Sequence, residues 1–170
     1  MQRLPYASDS AVRSFVALLL EQMDILYSVD IALCYDYIYD QEQVAKLDIT
    51  KYFPKELREK EFLMMGEVIR SAATQKHRPP QEKEIERQRA GVLNSLAQRY
   101  GDDVQMLADS ELGKKNKAKM CQLTYDFTRL FLDYQNGSLA LYCVSCLRVR
   151  NKTTLIHSTR SPIILALVEL

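Results

Sequence analysis

The chain contains few of the residues that interrupt helices: five glycines and five prolines in 170 residues. This low glycine content argues against a β-sandwich or barrel, because those folds need turn residues at short intervals. Between the breakers lie long segments in which apolar residues recur at spacings of three and four, the pattern of helices with one buried face. We therefore predict an all-α protein, a single-domain helical bundle of about five helices with an irregular C-terminal element.

The first predicted helix begins at a capping segment. Ser8-Asp9-Ser10 offers side-chain oxygens as N-caps immediately before an apolar series with helical spacing. The spacing predicts a helix from about 10 to 40, and its length makes a break near 28–30 an alternative. A polar connection over residues 40–53 then leads to Pro54.

Prolines and glycines set the boundaries of the later helices. Pro54 begins a second helix, because proline is tolerated in the first helical turn. A third helix is predicted over about 80–100 and ends at Gly101 as its C-cap. After a short fourth segment, GKKNKAK is predicted to be a solvated turn, and a last helix begins near Met120 and ends at Asn136-Gly137. The inner side of the second helix is predicted to consist of five residues: Leu57, Phe62, Met65, Ile69 and Ala72.

Charge is distributed unevenly along the chain. Residues 1–50 carry 3 basic and 8 acidic side chains, whereas residues 51–100 carry 11 basic and 7 acidic ones. We expect the acidic and basic segments to pair within the bundle. Nucleic acid is not an expected partner, because glutamates alternate with the basic residues around the third helix and the isoelectric point is only about 7.6.

The apolar runs are too short to predict a membrane span. The longest, such as Phe15–Leu20, fall far below the roughly 20 residues needed to cross a bilayer, so no transmembrane segment is predicted. The N-terminal MQRLPYASDS does not resemble a signal peptide. If Met1 is native, the expected location is the cytoplasm; if a leader was removed, an extracytoplasmic location is the alternative.

Four cysteines allow several structures. Cys34 and Cys121 both lie on predicted helices near buried faces, and they form a disulfide or stay reduced as small apolar residues. Cys143 and Cys146 form a C-x-x-C in the C-terminal part of the chain, where they are core thiols or a second disulfide. A zinc site that combines the C-x-x-C with Cys121 and His157 is a weaker alternative, because this spacing matches no known zinc motif.

The stretch CYDYIYD, residues 34–40, raises the question of a metal site. Asp36 and Asp40 lie one helical turn apart, and Glu56 and Glu59 from the second helix would complete a set of oxygen ligands. This set predicts a metal-dependent helical hydrolase as one alternative. The favoured interpretation is a helix terminus whose tyrosines cover the end of the bundle.

No other motif predicts catalysis or a cofactor. The chain has two histidines, and it has neither a G-x-S-x-G elbow, nor a P-loop, nor a G-x-G-x-x-G. No catalytic residue is therefore assigned and no cofactor is expected. By elimination, the sequence predicts a non-catalytic helical protein-interaction or regulatory domain that binds a protein partner or self-associates. The second prediction is an extracytoplasmic, disulfide-stapled helical domain of an envelope or secretion assembly.

The predicted partner surface lies in the C-terminal part of the chain. The segment IILALVEL after Pro162 would be an aggregation hazard if it stayed exposed, so it is expected to dock onto the bundle or onto another subunit. Tyr35 and Tyr39 come second as partner-binding residues, provided that they are exposed. The secondary structure of 139–160 stays open between helix and strand. The tail residues assigned to partner binding are Ile163, Ile164, Leu165 and Leu167.

Overall fold

The computed structural model describes residues 7–74 and 82–133. Within these ranges the chain forms seven α-helices and no strand, which confirms the predicted all-α bundle. Two 3₁₀ helices, Ile49–Lys51 and Gly101–Leu107, lie in the connections. The α-helices are α1 (Asp9–Val29), α2 (Ile31–Tyr39), α3 (Gln41–Lys46), α4 (Lys55–Thr74), α5 (Glu82–Tyr100), α6 (Ser110–Lys115) and α7 (Lys117–Asp133).

The break between α1 and α2 is a single extended residue. Asp30 has φ −158° and ψ 122°, its N–H donates to the carbonyl of Leu26, and its carboxylate accepts from the N–H of Ala32 at 2.8 Å. One aspartate therefore ends α1 and caps α2. The alternative of a break near residues 28–30 is confirmed. Ser8 caps α1 as predicted, because its Oγ accepts from the N–H of Ala11.

The predicted turn GKKNKAK contains helical residues, so this prediction is wrong, and the polar connection over residues 40–53 also contains a helix. Asp40 caps α3 within the polar connection by accepting from the N–H of Gln43. In GKKNKAK, Gly113–Lys115 belong to α6, and only Asn116 separates α6 from α7. Lysine has a good helix propensity, and the side chain of Asn116 accepts from the N–H of Lys119. Gly101 ends α5 with φ +57°, a conformation that favours glycine.

The core surrounds α1. This helix packs against α2, α4 and α7, while α5 packs against α7 and the 3₁₀ helix Gly101–Leu107. Arg13 links α1 to the end of α7 by donating to the carbonyl of Leu132 at 2.8 Å. The largest fully buried side chains include Leu18, Met23 and Leu26 of α1, together with Tyr37, Phe53, Leu96 and Leu123.

The predicted inner side of α4 is wrong for Phe62 and Ile69, which are exposed. Leu57 and Ala72 are buried as predicted, but they share the buried side with Val68 and Ser71. Three polar contacts with α1 lie on this side of α4. The Oγ of Ser71 accepts from the N–H of Ser8 at 3.3 Å, Gln22 donates to Glu61 at 2.8 Å, and Lys60 pairs with Glu21 at 2.5 Å.

Candidate functional site

The CYDYIYD segment forms most of α2 and is an anchor within the fold. Cys34, Tyr35 and Tyr37 are buried, and the rings of Tyr35 and Tyr39 lie 5.1 Å apart. The hydroxyls of Tyr39 and Thr124 share a hydrogen bond of 2.6 Å, which ties α2 to α7. Tyr35 is predicted to bind a partner only if it is exposed. Its ring lies in the core, so this condition is not met. Tyr39 is half-buried.

The four carboxylates predicted to bind a metal are not brought together. Asp36 accepts from the ammonium of Lys117 at 2.6 Å, Asp40 caps α3, and Glu59 pairs with Lys55 within α4. The fourth, Glu56, is in the first turn of α4, which packs on α1, whereas α2 packs on α1 and α7. In residues 7–74 and 82–133 no group of three His, Cys, Asp or Glu side chains is placed to hold a metal ion.

Cys34 of α2 and Cys121 of α7 meet inside the bundle. Both are fully buried, their Cα atoms are 6.0 Å apart, and their sulfurs lie at disulfide distance. The adjacent Lys117 strengthens the same junction, because its ammonium lies 5.2 Å from the centroid of the Tyr35 ring. The hydrogen bond with Asp36 raises the pKa of Lys117. Cys143, Cys146 and His157 lie outside the described residues.

A buried polar cluster joins α1, α2 and α4. The side-chain amide of Gln22, which is 1% exposed, accepts from the hydroxyl of Tyr37 at 3.1 Å and donates to Glu61 at 2.8 Å. Burial raises the pKa of Tyr37 well above its ordinary value, and the charge of Glu61 raises it further. Burial also raises the pKa of Glu61. The cluster holds a phenol and a carboxylate around one amide.

The raised pKa of Glu61 predicts a pH-dependent stability. The folded protein holds a proton on Glu61 at a higher pH than the unfolded chain does, so this group's contribution to the unfolding free energy is present at low pH and lost as the pH rises through the folded pKa. Glu61→Gln is expected to reduce the loss of unfolding free energy that occurs as the pH rises above the ordinary glutamate pKa. Urea unfolding of both proteins at several pH values, from about the ordinary glutamate pKa upward, measures this. Equal slopes in both proteins would contradict it.

A second polar cluster holds α5 against α7. The buried carboxylate of Asp126 accepts from the guanidinium of Arg99 at 2.9 Å and from the hydroxyl of Tyr100. Burial is the main cause that raises the pKa of Tyr100, and the hydrogen bond with Asp126 raises it further. Lys119 approaches the ring of Tyr100 and pairs with Asp103 at 2.8 Å. These contacts satisfy the buried charge and give the cluster a structural role.

The side of α4 turned away from α1 exposes large apolar side chains. We call this surface, made of Phe62, Leu63, Gly66 and Ile69, the outer face of α4. Phe62 is 81% exposed, Leu63 61% and Ile69 48%. A shallow cavity open to solvent lies at its N-terminal end, and the described residues that line it all belong to α4: Lys55, Arg58, Glu59, Phe62 and Leu63.

The sequence contains a signal for this face, because α4 carries two stripes at helical spacing. Leu57, Met64 and Val68 follow one stripe, and Phe62 and Ile69 follow the other, on the opposite side of the helix. The predicted partner residues Ile163, Ile164, Leu165 and Leu167 lie outside the described residues. So do the predicted helix end at Asn136-Gly137 and the segment 139–160.

Comparison with protein-family models, with curated proteins and with solved structures gives no match for this chain. Among the helices of the described ranges, none combines the length and the apolar character that a bilayer crossing needs.

Proposed function

We propose that this protein is a non-catalytic interaction domain that docks an apolar helix on the outer face of α4. One observation carries the proposal: Phe62 is 81% exposed, and Leu63 and Ile69 are exposed beside it on the same helix. Burying such a side chain contributes about 1.5–3 kcal/mol, so a partner that covers Phe62 would gain this free energy on binding. Single exposed apolar residues are common, whereas three of them on one helix face are typical of an interaction surface.

The charges around this face fit a binding surface with a polar rim. Lys55, Arg58 and Glu59 line the cavity, and Arg70 pairs with Glu67 at 3.1 Å at the other end of the face. Interfaces commonly place aromatic and aliphatic anchors at the centre and charged residues at the edge. A partner helix would insert its apolar stripe along α4, the helix-in-groove mode of recognition.

Site-specific photo-crosslinking in the cell tests this proposal. A photoreactive phenylalanine at position 62 is expected to give one adduct of defined mass, because the ring at this position would be buried in the complex. The matched control is the same group at Gln98, an exposed position on α5. Ile69→Asp in the same chain is expected to remove the adduct, since it places a charge on the apolar face. Equal labelling at positions 62 and 98 would contradict the proposal.

A second candidate function rests on the cysteine pair. Cys34 and Cys121 lie at disulfide distance although 87 residues separate them in the sequence. Disulfides persist in oxidising compartments, so this pairing favours an extracytoplasmic domain of an envelope or secretion assembly. This candidate is compatible with the docking role of α4. In either case the tail segment 163–167 stays a predicted second contact surface.

A further inference from the structure

We propose that the occupant of the outer face of α4 is α4 of a second copy of this chain, packed antiparallel across a two-fold axis beside Gly66. This inference rests on the proposed function and names its partner. It predicts a homodimer in which each Phe62 contacts Ile69 of the second copy.

The exposed residues have the symmetry that such a contact needs. In a two-fold interface, residue i of one copy meets residue j of the other, and j meets i. Phe62 and Ile69 are equally distant from a point between Met65 and Gly66, close to the middle of α4 (Lys55–Thr74). An antiparallel α4 pair with its axis there brings Phe62 and Ile69 of each copy onto the other copy. The same patch of each copy therefore forms both sides of the interface.

Gly66 lies between these side chains, where two helix backbones would approach each other. The absence of a side chain permits a close approach at the axis. A Cβ at this position would lie 3.1 Å from the guanidinium of Arg70, which folds across Gly66 in the single chain. The side chain of Arg70 is mostly exposed and its pairing with Glu67 is within one helix, so it is free to reorient when a second helix arrives.

The charges of α4 also match a second copy of α4. The helix holds four basic and four acidic residues, so two copies do not repel each other through net charge: Lys55, Arg58, Lys60, Arg70, Glu56, Glu59, Glu61 and Glu67. In the antiparallel arrangement Arg70 lies opposite residues 59–62 of the other copy, within reach of Glu59. The two-fold axis generates this Arg70–Glu59 pair twice. Because α4 carries no net charge, its charges do not indicate a partner with an excess of the opposite charge.

The length of α4 sets the expected strength. A 20-residue helix is about 30 Å long, and a single helix pair of that length buries less than the roughly 1,600 Å² of a standard interface. We therefore expect a reversible dimer with a dissociation constant of about 1–100 μM, which is in the range of small interfaces.

Sedimentation velocity of the full chain over about 1–500 μM tests the dimer and its register, the range being chosen to bracket that dissociation constant. Glu59→Arg and Arg70→Glu are each expected to weaken association about tenfold, because each creates two like-charge contacts, and the double variant is expected to restore it. Ile69→Asp is expected to abolish association. Deletion of 161–170 is expected to leave it unchanged. Thermal unfolding of each variant checks that the fold is retained.

The other outcomes overturn the inference and separate it from the proposed function. A chain that stays monomeric, while the Phe62 crosslink gives an adduct of a different mass from two copies, keeps the docking role and removes the second copy as partner. If both charge-reversal variants associate as strongly as the native chain, the dimer is formed through another surface. A dimer lost on deletion of 161–170 is formed through the tail. A monomeric chain without any Phe62-specific adduct removes both proposals.

Discussion

The oxidised protein is expected to unfold with a free energy about 4 kcal/mol higher than the reduced protein. The expected difference follows from a Cys34–Cys121 disulfide, which closes a loop across a sequence separation of 87 residues and thereby restricts the unfolded chain. Both sulfurs lie in the core between α2 and α7, so the reduced form keeps two small buried apolar groups and remains folded. Urea unfolding with and without a reductant measures the difference.

A matched pair of variants assigns this effect to the right cysteines. Cys34→Ala with Cys121→Ala is expected to lose all sensitivity to the reductant, and its stability is expected to lie near that of the reduced protein. Cys143→Ala with Cys146→Ala is expected to keep the full difference, since it leaves the α2–α7 pair intact. Equal unfolding midpoints for the oxidised and reduced native chain would show that no such crosslink stabilises this fold.

The helical class could be predicted from local sequence because its signals are local. Asp30 ends one helix and caps the next through its own backbone and side chain, and Gly101 adopts the positive φ that ends α5. Each signal acts within a few residues, so one stretch of sequence contains it. The misread turn at residues 113–119 shows the limit, because a lysine-rich composition does not distinguish a solvated turn from solvated helix ends.

The rotation of α4 could not be predicted from its spacing. The stripe through Leu57 and Val68 and the stripe through Phe62 and Ile69 are both apolar, and periodicity does not rank them. The choice depends on α1, where Ser8, Glu21 and Gln22 supply partners to one side of α4 alone. The candidate site follows from that choice, since the unused stripe becomes the outer face.

The role of Asp36 also depended on a distant residue. Two aspartates one turn apart are typical of an oxygen-ligand pair, but Asp36 forms an ion pair with Lys117, which is 81 residues away in sequence. The cysteine pair joins the same two helices and was one of the predicted alternatives, because both residues lie near buried helix faces. Each cysteine has only three possible disulfide partners in a chain with four cysteines, whereas an aspartate can pair with any of many basic residues.

Gln22→Leu is expected to lower the unfolding free energy by about 2–3 kcal/mol. Leucine fills a similar volume, so the loss comes from polar groups left without a partner rather than from a cavity. The hydroxyl of Tyr37, whose side chain is 1% exposed, loses its acceptor, and Glu61 loses its donor. Urea unfolding at neutral pH measures the change.

A double variant separates the unpaired hydroxyl from general loss of packing. Tyr37→Phe alone is expected to destabilise by about 1 kcal/mol, because it leaves the carbonyl oxygen of the Gln22 side chain without a donor. Gln22→Leu with Tyr37→Phe is expected to be less destabilised than the sum of the two single changes, since no buried polar group of this pair then remains. Additive effects would contradict this account, because they would mean that the hydroxyl of Tyr37 finds another partner or water when Gln22 is absent.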